Sequence, residues 1–391
     1  MSEFVNRTGW SKGAHNRSTT RSTPEGYVRE AVNFVSTKEG TLRSRPSIGL
    51  IREAQDSITA ACAYGASLAY CDGLTVYELQ GSTPVRVAPD LPAAATGMVD
   101  VLGALYVATP VGGQYLWQGR LLPWAPLNPA FTVASEAGNL LEGRYRVAVV
   151  TLDAAGRTSG TASQYIDITP GQAIRVSGVG RVYISTPNGS TLYYQGESAA
   201  TFLCTRVDDD RDRLTTDGLQ PMPVSSQLTS HNALLVAVVG KQLWVSVPFA
   251  PYLCDMSKGF FSFPAPVTNC VSCGDGLFVT ADKTYYVRGI ESAAPEQITA
   301  WEEPAVAGTA VTTPDGKAAW FTARGLAIGS EDGSVRWATD EQYAPRVAQT
   351  GVSGYINVGG VPAVLTSMGG GASSTAAAHD SYDLEIRRNE K

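Results

Sequence analysis

Chemistry needs a few reactive residue types held close together, and this sequence offers four places to look for them. Its three histidines, His15, His231 and His379, are scattered along the chain. A clustered metal site or a Ser-His-Asp triad needs a histidine near its partners, so this count argues against both. The expectation is that all three are solvated turn or tail residues. Six cysteines stand at 62, 71, 204, 254, 270 and 273. Only Cys270 and Cys273 have the C-x-x-C spacing, and no second pair or neighbouring histidine completes a zinc set. They read as thiols of buried strands, in a reducing compartment.

The third place is Asp208-Asp209-Asp210-Arg211-Asp212, whose carboxylates could face Ca²⁺. It lacks the glycine and the terminal glutamate of the EF-hand loop, and reads as a solvated acidic loop. The fourth is Ser330-Glu331-Asp332-Gly333-Ser334-Val335-Arg336-Trp337, which resembles the Asp-box of sialidase-type propellers. Its glycine falls one place early and no second copy occurs, so it reads as a hairpin closed by Asp332-Gly333. No phosphate-binding or dinucleotide loop is present, because the glycines sit at hairpin turns rather than strand-to-helix junctions. Two carboxylates suffice for glycoside hydrolysis, but nothing marks such a pair. No catalytic, cofactor-binding or metal-ligating residue is therefore assigned.

The elements that would position any site are short strands. Forty glycines and 22 prolines punctuate runs rich in Val, Tyr, Thr and Leu, while charged residues make up only 17% of 391. That composition predicts an all-β chain with many tight turns. A formal charge of −6 argues against general nucleic-acid affinity, which needs a basic footprint. The start Met1-Ser2-Glu3-Phe4 has no apolar h-region and no run of 18 apolar residues occurs, so neither a signal peptide nor a membrane span is expected.

A paired-strand unit recurs. Its anchors Leu68, Leu105, Leu234, Leu277 and Trp320 are spaced 37, 129, 43 and 43 residues apart. A period of about 40–45 residues with paired strands predicts propeller blades, about five or six of them. The long step leaves about 90 extra residues, the size of one small sandwich. Strand-like runs such as Gly143–Thr151, Gln164–Ile168 and Arg181–Ser185, separated by Gly, Asn and Pro, place it there.

The predicted organisation is an extended arm and first strand over 1–50, and blades over 51–125. A fibronectin- or immunoglobulin-like insert follows over 126–217, then further blades over 218–368. A linker and tail occupy 369–391. Within that tail Tyr382-Asp383-Leu384-Glu385-Ile386 alternates as a strand does.

One stretch is specific. Gly26, Ala31 and Asn33, then Gly40, Leu42, Arg45 and Pro46, resemble the opening of tail hub and nozzle proteins of short-tailed bacteriophages. Ser47 departs from that pattern, where glycine is usual. Gly143-x-Tyr145-x-Val147-Ala148 and Asp153-x-x-Gly156-Arg157-x-Ser159 are similar to the fibronectin-type insert of the same proteins. The resemblance implies a virion tail component without catalytic residues, assembled in the host bacterial cytoplasm. It further implies a homo-oligomeric ring, sixfold, that extends the DNA channel. The ring would contact the portal or adaptor and other tail or fibre proteins, and DNA would pass without specific binding. The alternative is a virion-surface propeller that binds or cleaves host glycans.

Overall fold

The hydrophobic runs fold into antiparallel sheets joined by very short turns. The computed structural model describes residues 54–292, 294–338, 348–358 and 361–369, with 12, 15, 24–27, 34–36 and 42–44 before them. Most of the expected arm and all but residue 369 of the expected tail, His379 included, lie outside the described residues. The described residues are all-β and contain no helix, so none is long and apolar enough to cross a membrane. The chain divides into two compact units, Ala54–Ser262 and Met1–Glu53 with Phe263–Lys391.

In the unit Ala54–Ser262, three sheets run as four-stranded meanders in chain order. Sheet 1 comprises Ile58–Tyr64, Ser67–Asp72, Thr75–Gln80 and Thr83–Arg86. Sheet 2 comprises Gly97–Val101, Ala104–Thr109, Gly112–Trp117 and Arg120–Pro123. Sheet 3 comprises Gln227–His231, Leu234–Val239, Gln242–Val245 and, after an excursion, Phe260–Ser262. Two-residue turns join the strands of sheets 1 and 2, with glycines such as Gly65, Gly73 and Gly103 at positive φ where the hairpin demands it.

Sheet 2 is covered on both faces, which explains its unbroken apolar run. Leu105 and Val107 face Ala69, Cys71 and Val76 of sheet 1. Tyr106 and Ala108, on the opposite face, meet Leu228, Leu235, Ala237 and Trp244 of sheet 3. Successive strand residues point to opposite faces, so a strand between two sheets must be apolar at every position. Each fully buried Leu or Val contributes about 1.5–3 kcal/mol. Neighbouring sheets come together along their first strands, Ile58–Tyr64 beside Gly97–Val101 and that strand beside Gln227–His231. The approach is close. A Cβ on Gly97 would stand 2.8 Å from the Leu228 amide nitrogen, and Thr96 Oγ1 donates to the Ser225 carbonyl at 2.7 Å.

Between sheets 2 and 3 the chain forms two facing sheets. One has the order Thr132–Ala137, Gln172–Ser177, Thr201–Cys204. The other runs Gln164–Ile168, Gly143–Val150, Gly180–Ser185, Leu192–Ser198. Tyr145, Val147 and Val149 of the second sheet pack against Ile174, Val176 and Cys204 of the first, forming one closed core.

In the other unit, sheet 4 comprises Asn269–Cys273, Gly276–Thr280, Thr284–Arg288 and Glu296–Trp301. Sheet 5 comprises Val311–Thr312, Ala318–Thr322, Gly325–Gly329 and Val335–Trp337. Both are meanders, and Phe278 and Tyr286 of sheet 4 pack against Trp320 and Ala327 of sheet 5. Two ribbons complete this unit, Phe34–Ser36 with Leu42–Ser44, and Thr350–Val358 with Val361–Gly369. All five anchors of the sequence recurrence fall on the second strand of a four-stranded sheet.

Candidate functional site

The most concentrated polar constellation in the unit Ala54–Ser262 is built around Arg157. It lies on a hairpin of the sandwich segment, where Asp153 N donates to the Arg157 carbonyl at 3.1 Å and Gly156 N to the Asp153 carbonyl at 3.0 Å. Asp153 Oδ1 accepts from the amides of Ala155 and Arg157, both at 2.9 Å, which fixes the turn before any partner is met. Arg157 then projects away from the sandwich. Its side chain is 9% exposed and that of Asp153 is 12% exposed.

Every face of the guanidinium is occupied. Nε donates to Asp153 Oδ2 at 2.8 Å, while Nη1 and Nη2 donate to the carbonyls of Trp124 and Pro123 at 2.6 and 2.8 Å. The ring of Tyr115 lies 3.9 Å from the guanidinium carbon and that of Tyr252 lies 4.8 Å from it. Tyr106 and Trp124 close the box, their centroids 6.1 Å apart. Trp124 lies flat on the backbone of Gly113, where any Cβ would overlap the indole. Burial pushes the Tyr106 phenol up to about 12 against the pull of Arg157, and burial also raises Tyr252. Neither tyrosine is therefore poised to ionise near neutral pH.

Such a cation is saturated. It holds the sandwich hairpin to the end of sheet 2 and to the Val247–Cys254 excursion of sheet 3. Elsewhere in the sandwich segment, Arg146 donates to Asp217, to Ser163 Oγ at 2.8 Å and to the Ser190 carbonyl at 2.8 Å. Asp217 also accepts from the Ser163 amide at 3.0 Å, tying the exit of the sandwich to its second sheet.

A second cluster occupies the outer strands of sheets 4 and 5. Trp301 and Trp337 meet edge to face with centroids 5.3 Å apart, and the Arg324 guanidinium lies 5.6 and 5.4 Å from the two rings. Both indole N–H groups are buried without a hydrogen-bond partner.

The residues singled out in the sequence are not brought together. His231 corrects the expectation of a solvated turn histidine: it ends a strand, is 2% exposed, and pairs in register with Leu234. The turn itself is Asn232-Ala233, both at positive φ, so the hairpin starts one residue later than the sequence suggested. Cys270 and Cys273 lie on one strand, three residues apart, and so point to opposite faces about 10 Å apart. Neither a disulfide nor a shared metal fits that spacing. All six cysteines are free, and burial raises the Cys270 and Cys273 thiols.

The acidic loop is exposed over residues 209–212, with Asp208 half-buried and its amide donating to Gln195 Oε1 at 3.0 Å. Asp208 is held below the usual carboxylate range by the Asp210 amide and by Arg211, which donates at 2.9 Å. Asp332 is consumed within its hairpin, accepting from Ser334 Oγ at 2.6 Å and Ser334 N at 3.0 Å. Among the described residues no three His, Cys, Asp or Glu side chains gather to hold a metal ion. Sequence reasoning missed the Arg157 box. The signal within reach was the Asp153-x-x-Gly156-Arg157 turn, which predicts a fixed hairpin but not where its arginine points.

No family model matches the chain, and no curated protein matches it. Among solved structures it is similar to BBS1N in a complex with ARL6DN, with 11% identity over 86% of this chain and 94% of that one, at a TM-score of 0.35. An AfRom2 CNH domain gives 12% identity over 80% and 90%, at 0.29. The computationally designed Ika8 protein gives 11% over 78% and 93%, at 0.26. At these scores the likenesses assign neither a particular fold nor a function, and the chain stands as an all-β protein of antiparallel sheets.

Proposed function

We propose that the chain is a structural, non-enzymatic component of a bacteriophage tail, a propeller carrying a fibronectin-like sandwich and assembling as a hub- or nozzle-like ring. The observation that carries this reading is the Arg157 box. A buried cation with five polar and aromatic partners is spent on fastening the sandwich to the meander sheets, which makes a stiff block rather than a reactive cleft. The blade reading draws support from the meander sheets, of which sheet 2 is covered on both faces, and from their meeting along their first strands. The tail assignment draws on the resemblance across Gly26 to Pro46. Fold alone gives no function, so the assembly must be tested directly.

Electron microscopy of the purified full-length protein, and of virions labelled with antibodies against it, is that test. Rings, and label coaxial with the tail, are the expected result. A chain that stays monomeric and leaves virions unlabelled overturns the proposal. The alternative, a virion-surface propeller for host glycans, has one observation in its favour, the Trp301–Trp337–Arg324 cluster with its two unsatisfied indole N–H groups. Release of reducing ends from bacterial surface polysaccharide, abolished by changing one acid pair, would establish it in place of the first.

A further inference from the structure

Two apolar side chains in the unit Ala54–Ser262 stand in solvent on backbone that disfavours them. Phe249 is 97% exposed at a φ of 63°, and Leu102 is 74% exposed at a φ of 56°. Phe249 is the third residue of the turn Val247-Pro248-Phe249-Ala250, closed by the Ala250 amide on the Val247 carbonyl at 3.3 Å, a position that glycine suits. Leu102 is the first central residue of the Leu102-Gly103 hairpin turn, where asparagine or glycine is preferred. A bulky side chain at positive φ is a steric outlier, and at these exposures neither gains burial that would offset the strain.

Both segments leave their sheets at the same end. In a meander the first and third turns lie together, and the first strands of sheets 2 and 3 start side by side, with Gly97 against Leu228 and Thr96 on Ser225. Sheet 1 is aligned with them, since the Gly65 amide of its first turn donates to Asp100 Oδ2 at 3.2 Å. The two-residue turns of that end are Gly65-Ala66, Gly81-Ser82, Leu102-Gly103, Gln118-Gly119 and Asn232-Ala233, and none carries a charge. The Val247–Cys254 excursion carries none either, and just beyond it Asp255 and Lys258 pair at 3.4 Å. The Phe249 tip is also firmly held. Val247 N donates to the Leu253 carbonyl and Leu253 N to the Ala250 carbonyl, both at 2.9 Å, over buried Ala250–Cys254.

We infer that this end pairs with the same end of a second copy of the chain, burying Phe249 and Leu102 across a two-fold contact. Such a contact sets a patch against itself, so in a chain of net charge −6 it forms most readily where the patch is neutral. Burying both side chains in both copies hides roughly 400–650 Å², about a third of the ~1,600 Å² of a standard interface, and the uncharged turns around them can supply the rest. A tip already fixed by its turn loses little freedom on pairing. The contact does not depend on the ring reading, because single copies and whole rings would pair alike.

Sedimentation velocity of the full-length protein over a dilution series tests it. Phe249→Gly and Leu102→Asn each install a residue that the turn prefers, so both variants should fold, with cooperative melting as the check. The wild type should run as pairs, of single copies or of rings, that dissociate on dilution. Either variant should weaken pairing by about thirtyfold or more, and so halve the mass at a concentration where the wild type is paired. A wild type that forms no pairs at high concentration overturns the inference without recourse to any variant, as does a folded variant of unchanged mass. A fall by any factor other than two assigns the tips to a different contact and refutes the pairing. Binding to phosphatidylcholine vesicles that is lost in Phe249→Gly, with the mass constant, gives this end to a lipid surface instead. A failed ring test above would leave all of these outcomes readable.

Discussion

Replacing Arg157 by Ala tests whether the sandwich is fastened as its geometry implies. The change strips Asp153 of its ion-pair partner at 2.7 Å and leaves the part-buried Trp124 carbonyl and the exposed Pro123 carbonyl without their donors. Removing one member of a buried pair costs about 3–5 kcal/mol, because the other charge remains desolvated. The two stacked tyrosines add a contribution of about 1–2 kcal/mol that overlaps with this and does not sum with it. For a unit of this size each kcal/mol lowers Tm by about 2–4 °C, so a fall of roughly 6–20 °C is expected by calorimetry. Arg157→Lys keeps the charge but not the planar fork, and should recover less than half of the loss. Asp153→Asn retains an acceptor for the Ala155 and Arg157 amides, so a double-mutant cycle between 153 and 157 isolates the ion pair. A coupling of about 1–3 kcal/mol is expected. A change under about 0.5 kcal/mol for Arg157→Ala, or strict additivity in the cycle, would refute the fastening argument.

Three further outcomes follow from the same structure. Gly113→Ala should destabilise by about 1–3 kcal/mol or more in urea titration, since its methyl group must displace the Trp124 ring; an unchanged midpoint refutes that packing. Burial raises the Cys62 and Cys71 thiols to about 12, so their folded-state values lie above the unfolded value of 9.0. Their contribution is complete below pH 9 and declines as pH rises toward 12, and thiol reagents at pH 8 should label the native protein far more slowly than the urea-unfolded one. Asp315 is held below its usual range by Lys317 and Thr313, and Asp332 by Ser334. Both therefore stabilise the fold above pH 4 and lose that contribution as pH falls through their lower folded values, so the urea midpoint should hold from pH 7 to 5 and decline below 4.

How much of this was legible depends on the range of the determinant. Leu68, Leu105, Leu234, Leu277 and Trp320 were found by local alternation between turns, and local alternation is what places them on second strands. The Ser330–Trp337 turn was likewise readable, because Asp332 and Ser334 are two residues apart. Arg157 was not. Its burial depends on Tyr115, Trp124 and Tyr252, which reach it only after sheet 2, the sandwich and the excursion after Val245 have folded. A charged residue in a turn reads as solvated from its neighbours alone. His231 was misread for the same reason, since a one-residue shift of the hairpin moved it from turn to strand. The outer strand Phe260–Ser262 was hidden by the excursion that separates it from Gln242–Val245.

The side-by-side strands Gly97–Val101 and Gln227–His231 also constrain the order in which the molecule can form. Bringing them together directly means closing a loop that contains the entire sandwich, and long-range contacts are slow to nucleate because the chain must first surrender its freedom. The sandwich shortens that path. Its two sheets share a closed core of their own, and at its base Asn128 Nδ2 donates to Gln220 Oε1 at 3.2 Å, so folding the segment brings entry and exit within one side-chain contact. Sheet 3 then meets sheet 2 as though only a handful of residues lay between them. During synthesis the sandwich emerges before sheet 3 and can complete itself first, acting as an internal splint that delivers the incoming strand to its neighbour.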